Sequence, residues 1–393
     1  MIKSIRTADT KNKRVLVRVD FNVPIENGKV ADDTRIMATL PTINHLIDDN
    51  AKIILVTHLG RPGGKKVEEL KLDPVADFLS EILGKKVLKS DDCVGPAVKK
   101  AIDKMNFGDV ILLENIRFHK EEEDNDPEFA KQLAELADTY IVDSFGTSHR
   151  KHASTYGVSK HIPAYAGFLM EKEVLTLTEL MKNTPRPLTL IVGGAKIDTK
   201  IGVLKNFLNK ADYFLIGGGL ANTFLAAQGY NMGKSLFEPD KIEMAREIML
   251  AAEMFRDKFI LPEDAIISDK AEKDAKILDL PVTAIEGDMM VLDLGVKSRE
   301  KFAEVIALSK TIIWNGPMGL YEKEPFEKGT LFIAQAVSEA TQAKTIIGGG
   351  DTIDAIKNFK IGLNKFTHVS TGGGAMLEFL EGSPLPGVEI IMG

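Results

Sequence analysis

One cysteine and one tryptophan occur in 393 residues. The lone thiol, Cys93, excludes an internal disulfide and suits a reducing compartment, where it is expected to be buried and inert. No apolar stretch approaches the ~18 residues needed to cross a bilayer. The opening segment MIKSIRTADTKNKRV lacks the apolar centre of a signal peptide, so the expectation is a cytoplasmic chain. An excess of positive charge is also missing. At a net charge of −7, a general nucleic-acid or membrane-surface binder is excluded, and cationic groups must act in local clusters. There is no GxGxxG for a dinucleotide, and the histidines with the single cysteine give no closed zinc set. One segment, Gly229 to Ser235, imitates a Walker phosphate loop. Its glycines stand one residue too close and follow a helical pattern instead of a strand, so it reads as a loop.

What is present is unevenly spread. The chain exceeds the size at which one core stops growing, which predicts two domains of roughly 150–200 residues. Its 44% hydrophobic and 27% charged residues are ordinary for a soluble protein. Seven of the eleven arginines and six of the seven histidines precede residue 171, whereas 23 of the 33 glycines follow it. Arginine suits bidentate capture of carboxylate and phosphate. Glycine lets a backbone approach a ligand. Two lobes with two anionic ligands is the natural expectation.

The first lobe alternates strand and helix patterns, which predicts a mostly parallel sheet. Strands at Arg14–Val19, Ile53–Val56, Val110–Leu113 and Tyr140–Val142 run into polar segments carrying Asp20 and Asn22, His58 and Arg61, Arg117, and Arg150. A helix capped by Asp32, Asp33 and Thr34 carries Arg35 in its first turn, where a cation opposes the helix dipole unless it holds an anion. Open α/β sheets bind ligands beyond the carboxyl ends of their strands, so these placements point to an anion cleft. Singly, each residue also reads as a surface charge.

In the second lobe glycine takes the place of arginine. The run Leu188–Val192 breaks at Gly193-Gly194, and a helix-like segment is expected to carry Lys196 and Lys200 on one face. Further strands end in Gly217-Gly218-Gly219, in Asn315-Gly316-Pro317-Met318-Gly319 with Glu322 beyond, in Gly348-Gly349-Gly350-Asp351-Thr352, and in Gly372-Gly373-Gly374. Glycine turns that lead into helix N-termini suit phosphate groups. Asp351 reads either as a helix cap or as a magnesium ligand, since that ion takes one or two carboxylates plus phosphate oxygens.

The motifs RVDFNVP, HLGRP, ENIRFH, FGTSHRKHAS, GGAKIDTK, GGGLANTF, WNGPMG, GGGDT and STGGGA occur in this order over nearly the whole chain. Together they resemble the phosphoglycerate kinase family. The resemblance implies two α/β lobes, each a mostly parallel, Rossmann-like sheet with helices on both faces, joined by a hinge. A 3-phosphoglycerate domain would span 1–170, a Mg-nucleotide domain 171–380, and a tail, 381–393, would pack back on the first. It implies reversible phosphoryl transfer between 1,3-bisphosphoglycerate and ADP, with Mg²⁺, in a cytoplasmic monomer without nucleic-acid or membrane partners.

Carried over by position, Asp20, Phe21, Asn22, Arg35, His58, Leu59, Gly60, Arg61, Arg117 and Arg150 would hold 3-phosphoglycerate, with His152 close by. Gly193, Lys200, Gly217, Gly218, Asn315, Glu322, Gly349, Gly350, Asp351 and Thr352 would hold the nucleotide, Glu322 at the ribose and Asp351 at the metal. Arg35, Lys196, Lys200 and Gly372, Gly373 and Gly374 would surround the phosphoryl group in flight. Val142, Glu263, Val296 and Met376 depart from the family pattern. A carboxylate nucleophile is already ionised at neutral pH, which agrees with the lack of a convincing general base. Two other readings stay open. A different two-lobed kinase would alter the arginine set, and a two-lobed binding protein would need neither Lys196 nor Arg35.

Overall fold

Short β-branched runs bounded by glycine, asparagine and aspartate recur along the chain, and in the computed structural model they become strands buried on both faces. Residues 1–252 and 258–393 are described. The chain divides into two compact units. One comprises Met1–Leu177 with Pro384–Gly393, the other Thr178–Ser383.

In the first unit six parallel strands lie in the order Val87–Lys89, Val110–Leu112, Lys52–Val56, Arg14–Val19, Thr139–Asp143, Ala164–Ala166. Every residue of Thr139–Asp143 is buried, as expected of a strand covered on both faces. The central strand Arg14–Val19 pairs on one side with Lys52–Val56 and on the other with Thr139–Asp143. The chain leaves it for Lys52–Val56 on one side and, after Val110–Leu112, crosses to Thr139–Asp143 on the other, which opens a crevice at the carboxyl ends of these strands. The helix Thr34–Asp48 turns Ile36, Ile43 and Leu46 inward and leaves Arg35 partly exposed. Each such apolar side chain contributes about 1.5–3 kcal/mol when fully buried. The carboxyl-terminal residues belong to this unit through Gly387 N–H to Ser148 O at 2.8 Å and Lys3 N–H to Ile391 O at 2.8 Å.

The second unit repeats the plan. Its parallel sheet runs Phe259–Ile260, Tyr213–Ile216, Leu188–Val192, Thr311–Asn315, Lys344–Gly348, His368–Ser370. Leu188–Val192 stands at the switch point, flanked by Tyr213–Ile216 and Thr311–Asn315. A separate antiparallel sheet, Leu278–Pro281, Asp264–Ser268 and Met290–Leu294, was not anticipated from the βα alternation. Its two edge strands carry few fully buried residues, so their apolar pattern is weak.

One expectation fails here. Lys196 and Lys200 do not lie on a helix, because the helix begins at Ile201 and both lysines belong to the turn before it. The helix holds only seven residues, Ile201–Phe207, and its buried face starts at Val203. Ile197 is buried ahead of the helix, and its carbonyl accepts from Lys200 N–H at 2.8 Å and Ile201 N–H at 2.9 Å, so the segment closes as a turn.

Candidate active site

In the first unit the strand ends converge on a cationic cluster. Arg35 Nη1 lies 3.3 Å from Asp20 Oδ2 and donates to Asn22 O at 3.0 Å. Asn22 Oδ1 accepts from Gly60 N–H at 2.9 Å, and Arg117 Nη1 donates to Gly60 O at 2.8 Å. The three loops are thereby tied together. Phe21 and Leu59 turn their side chains into the core, and their backbone N–H groups are held by Thr57 Oγ1 and Asn115 Oδ1. Arg61 is exposed in the loop after His58.

The cluster is electrostatically strained in a way that an anion would relieve. Burial, with Arg150 and Arg18 close by, pushes the Arg117 guanidinium down to about 10, although Glu123 at 3.3 Å partly offsets this. Burial and the field of Arg117, Arg18 and Arg150 take His152 down to about 4. His58, buried among Arg18, Arg117, Arg35 and Arg150, lies well below the ordinary imidazole value. Like charges this crowded and this poorly solvated are a familiar sign of a binding site.

Sequence reasoning missed the layer beneath. Arg18 is 1% exposed and Glu122 is fully buried; they meet through Ser154, whose Oγ accepts from Arg18 Nε at 2.8 Å and donates to Glu122 at 2.6 Å. A signal existed, since an arginine inside the apolar run RVLVRV is costly unless paired.

In the second unit a cavity of about 360 Å³ is lined by Gly193, Lys196, Lys200, Asn315, Gly349, Gly350, Asp351, Thr352, Gly373 and Gly374. The Lys200 ammonium donates to Asn315 Oδ1, and Asn315 Nδ2 donates to Gly348 O at 2.9 Å. Burial takes Lys200 down to about 8, with Asp351 acting in the opposite sense. Thr352 Oγ1 accepts from Gly316 N–H at 2.7 Å, fixing one strand end against the helix Gly350–Asn358. Neither that helix nor Gly373–Glu381 has a side-chain cap, and the first residues of both line this space. A second cavity of about 250 Å³ adjoins it, sharing Gly194 and Asp351. Gly218 and Glu322 line it together with apolar Leu225, Leu236, Val291 and Met318. Gly217 and Gly372 sit behind these linings. A side chain at Gly217 would meet Met318, and Gly372 N–H is held by Ser370 Oγ at 3.2 Å.

Room and donor type fit a magnesium ion. Asp351 offers one exposed carboxylate at the cavity edge, beside space for phosphate oxygens and water. Among the described residues, Asp92, Cys93 and His119 bring three possible ligand atoms within 4.8 Å of one another. Their groups are already engaged, His119 Nε2 with Asp92 at 2.7 Å and the Cys93 thiol with Glu114 O at 2.9 Å, which leaves no closed four-ligand set.

A sequence model of the phosphoglycerate kinase family matches residues 5–383. The phosphoglycerate kinase of Pelotomaculum thermopropionicum is 52% identical over 390 residues, 99% of each chain. That of Dictyoglomus turgidum is 54% identical over 391 residues, 99% of this chain and 98% of its own. Among solved structures, phosphoglycerate kinase from Coxiella burnetii superposes with a TM-score of 0.88 at 42% identity, covering 100% of this chain and 99% of that one. The phosphoglycerate kinase from Pyrococcus horikoshii gives 0.87 at 32% identity over 99% of this chain and 98% of its own.

Proposed function

The chain belongs to the phosphoglycerate kinase family, and from that premise we propose how its two clusters perform the family's reaction, the reversible transfer of a phosphoryl group between 1,3-bisphosphoglycerate and ADP. The first unit takes the three-carbon acid. Arg35, Arg61, Arg117, Arg150 and His58 face its phosphate and carboxylate, while Asp20 and Asn22 orient its hydroxyl and hold Arg35. The second unit takes the nucleotide, the purine against Leu225, Leu236, Val291 and Met318, the ribose hydroxyls at Glu322, and the phosphates against Lys200, Thr352 and the Gly349 and Gly350 backbone.

The observation that carries this assignment is a glycine-walled, lysine-bearing cavity opening directly into an apolar one. A triphosphate joined to a flat aromatic base has that same division. Phosphoryl transfer demands positioning and charge neutralisation more than covalent help from the protein. Arg35, Lys196 and the N–H groups of Gly373 and Gly374 supply fixed positive charge where the equatorial oxygens gain negative charge. Asp351 would hold Mg²⁺, which supplies neutralisation of the nucleotide oxygens. The substrate carboxylate attacks in its ionised form, so no side chain need remove a proton. The two ligands must meet, so we propose that turnover proceeds through closure about a hinge, which also expels water. No helix among the described residues is long and apolar enough to cross a membrane, and a buried lone thiol supports a reducing, cytoplasmic setting. The enzyme is taken to act as a monomer.

The test is turnover of 3-phosphoglycerate with Mg-ATP, coupled to consumption of the acyl phosphate, in wild type and Lys196→Ala. A loss of about 2.7 kcal/mol or more of transition-state stabilisation, roughly a hundredfold, is expected. Unchanged turnover in the variant moves the charge clamp elsewhere, and an inactive wild type overturns the kinase reading.

A further inference from the structure

Three charged or polar groups beneath the first cluster touch one another in a fixed order, and their donor and acceptor capacities determine the state of a fourth. Arg18 Nη2 lies 3.2 Å from His58 Nδ1, Arg18 Nη1 donates to the Val19 carbonyl, and Arg18 Nε donates to Ser154 Oγ at 2.8 Å. Ser154 is bound twice to Glu122, through its hydroxyl at 2.6 Å and its backbone N–H at 2.7 Å. A guanidinium carries five N–H groups and no acceptor. His58 Nδ1 must therefore present its lone pair to Arg18, and the ring proton resides on Nε2. The Ser154 hydroxyl, already accepting from Arg18, is left to donate to the Glu122 carboxylate. Protonation of Glu122 would not reverse the contact at His58, because Arg18 donates in either case. Among the described residues no hydrogen bond engages His58 Nε2.

We propose that Arg18, backed by Ser154 and Glu122, locks His58 as the neutral Nε2–H imidazole, so that His58 meets an anionic oxygen of the substrate as a fixed hydrogen-bond donor and not as a titrating cation. The proposal rests on the reading of the first unit as the 3-phosphoglycerate site. The groups facing His58 agree with it. Arg18, Arg35, Arg117 and Arg150 all disfavour another positive charge, and burial acts in the same direction. Among the described residues, Asp20, with Oδ1 3.9 Å from Nδ1, opposes them. A site already holding four guanidinium groups gains little from a fifth cation whose charge would vanish across the neutral range. A neutral donor keeps the same hydrogen bond throughout. Arg18 and Glu122 are thus positioning residues that act through His58.

The test uses the full chain with ¹⁵N-labelled histidine, the His58 signals being assigned by their absence from His58→Gln. Between about pH 5.5 and 8, the range in which a histidine ordinarily changes charge, Nδ1 should keep an unprotonated shift and Nε2 a protonated one. Addition of 3-phosphoglycerate should move the Nε2–H signal. An imidazolium within that range, or the Nδ1–H tautomer, overturns the proposal without requiring any Arg18 variant to fold. Arg18→Met removes the donor at Nδ1 but leaves burial and the other three guanidinium groups in place. The ring should stay neutral while the Nδ1–H tautomer becomes populated, and KM for 3-phosphoglycerate should rise with kcat changing less. Arg18→Lys, which keeps a donor, should restore the Nε2–H form, and an unchanged tautomer in Arg18→Met overturns the proposal. If His58 shows the predicted tautomer and ignores 3-phosphoglycerate while turnover is normal, its part in substrate capture fails and the kinase reading stands. If wild type does not turn over 3-phosphoglycerate, the kinase reading fails too.

Discussion

Lys200 illustrates how one residue can couple binding to pH. Burial holds its ammonium at about 8, so in the free protein near pH 8.5 much of it is neutral. A lysine depressed in the native state costs stability in full below about 8, and the cost is relieved as the pH rises from there toward the ordinary lysine value near 10, so stability increases across that window. Nucleotide phosphates reverse the depression and return the proton. We expect net proton uptake when ATP binds at pH 8.5, seen as a dependence of calorimetric heat on buffer ionisation enthalpy, and its disappearance in Lys200→Met. Equal heats in all buffers for the wild type would contradict the placement of Lys200 at the phosphates. Met376, one of the positions expected to depart from the family pattern, is fully buried, and its Sδ and Cε occupy the space that a side chain at Gly348 would need. Truncation to Ser leaves a void as well as a buried hydroxyl. Met376→Ser is therefore expected to lose about 2–4 kcal/mol in urea unfolding while the folded fraction stays active. The other departures sit in milder settings. Val142 lies inside a buried strand, Val296 opens a helix at 46% exposure, and Glu263 pairs with Lys301.

At the scale of elements, helix starts do most of the organising. The helix Phe168–Lys182 begins against Asp143, whose carboxylate accepts from Met170 N–H at 3.1 Å. Burial nevertheless raises Asp143 to about 7, because complete removal from water outweighs the hydrogen bonds and the helix dipole. The sign follows directly. A carboxyl raised in the native state contributes stability that is full below its unfolded value near 4 and is lost as the pH rises through about 7. Asp143→Asn, which keeps an acceptor and cannot ionise, should narrow the difference in unfolding free energy between pH 5 and pH 8. An identical difference in wild type and variant would show that other groups carry it. Asp293 is a second such carboxyl. It accepts from Gly329 N–H at 2.5 Å, at the start of the helix Lys328–Glu339, and burial pushes it to about 7. Its carboxylate fills the space that side chains at Gly319 and Gly329 would need, which explains glycine at both places without reference to a ligand.

For the whole molecule the consequence is a division of labour between two compact units. Each ligand should stabilise the unit that binds it, by about 2.7 kcal/mol at a hundredfold excess over Kd. In amide-exchange mass spectrometry, Mg-ATP should slow exchange in Gly218–Ala227 and Gly350–Asn358, and 3-phosphoglycerate should slow it around Arg14–Val19 and the loops carrying His58 and Arg117. Nucleotide protection confined to the first unit would reverse the assignment. The same experiment separates this enzyme from a two-lobed binding protein, which would respond to one ligand and ignore the other.

The parallel sheets were legible in the residues alone, because strands buried on both faces read as short continuous runs rich in Val, Ile and Leu, as in Leu188–Val192. The sequence also marked the strand ends proposed to carry chemistry, by arginines in the first unit and triple glycines in the second. It could not determine that Lys196 and Lys200 sit in a turn, because lysine is as common in helices as in loops and the helical spacing of Ile197, Ile201 and Leu204 runs through the boundary without marking it. The antiparallel sheet around Asp264–Ser268 was equally hidden, its edge strands being half exposed. The layer beneath the substrate cluster belongs wholly to the tertiary structure. Arg18, His58, Glu122 and Ser154 are separated by up to 136 residues, and their meaning lies in which atom faces which. Sequence supplies donors and acceptors, but only the packed fold, by excluding water from around them, fixes the direction in which each hydrogen bond points.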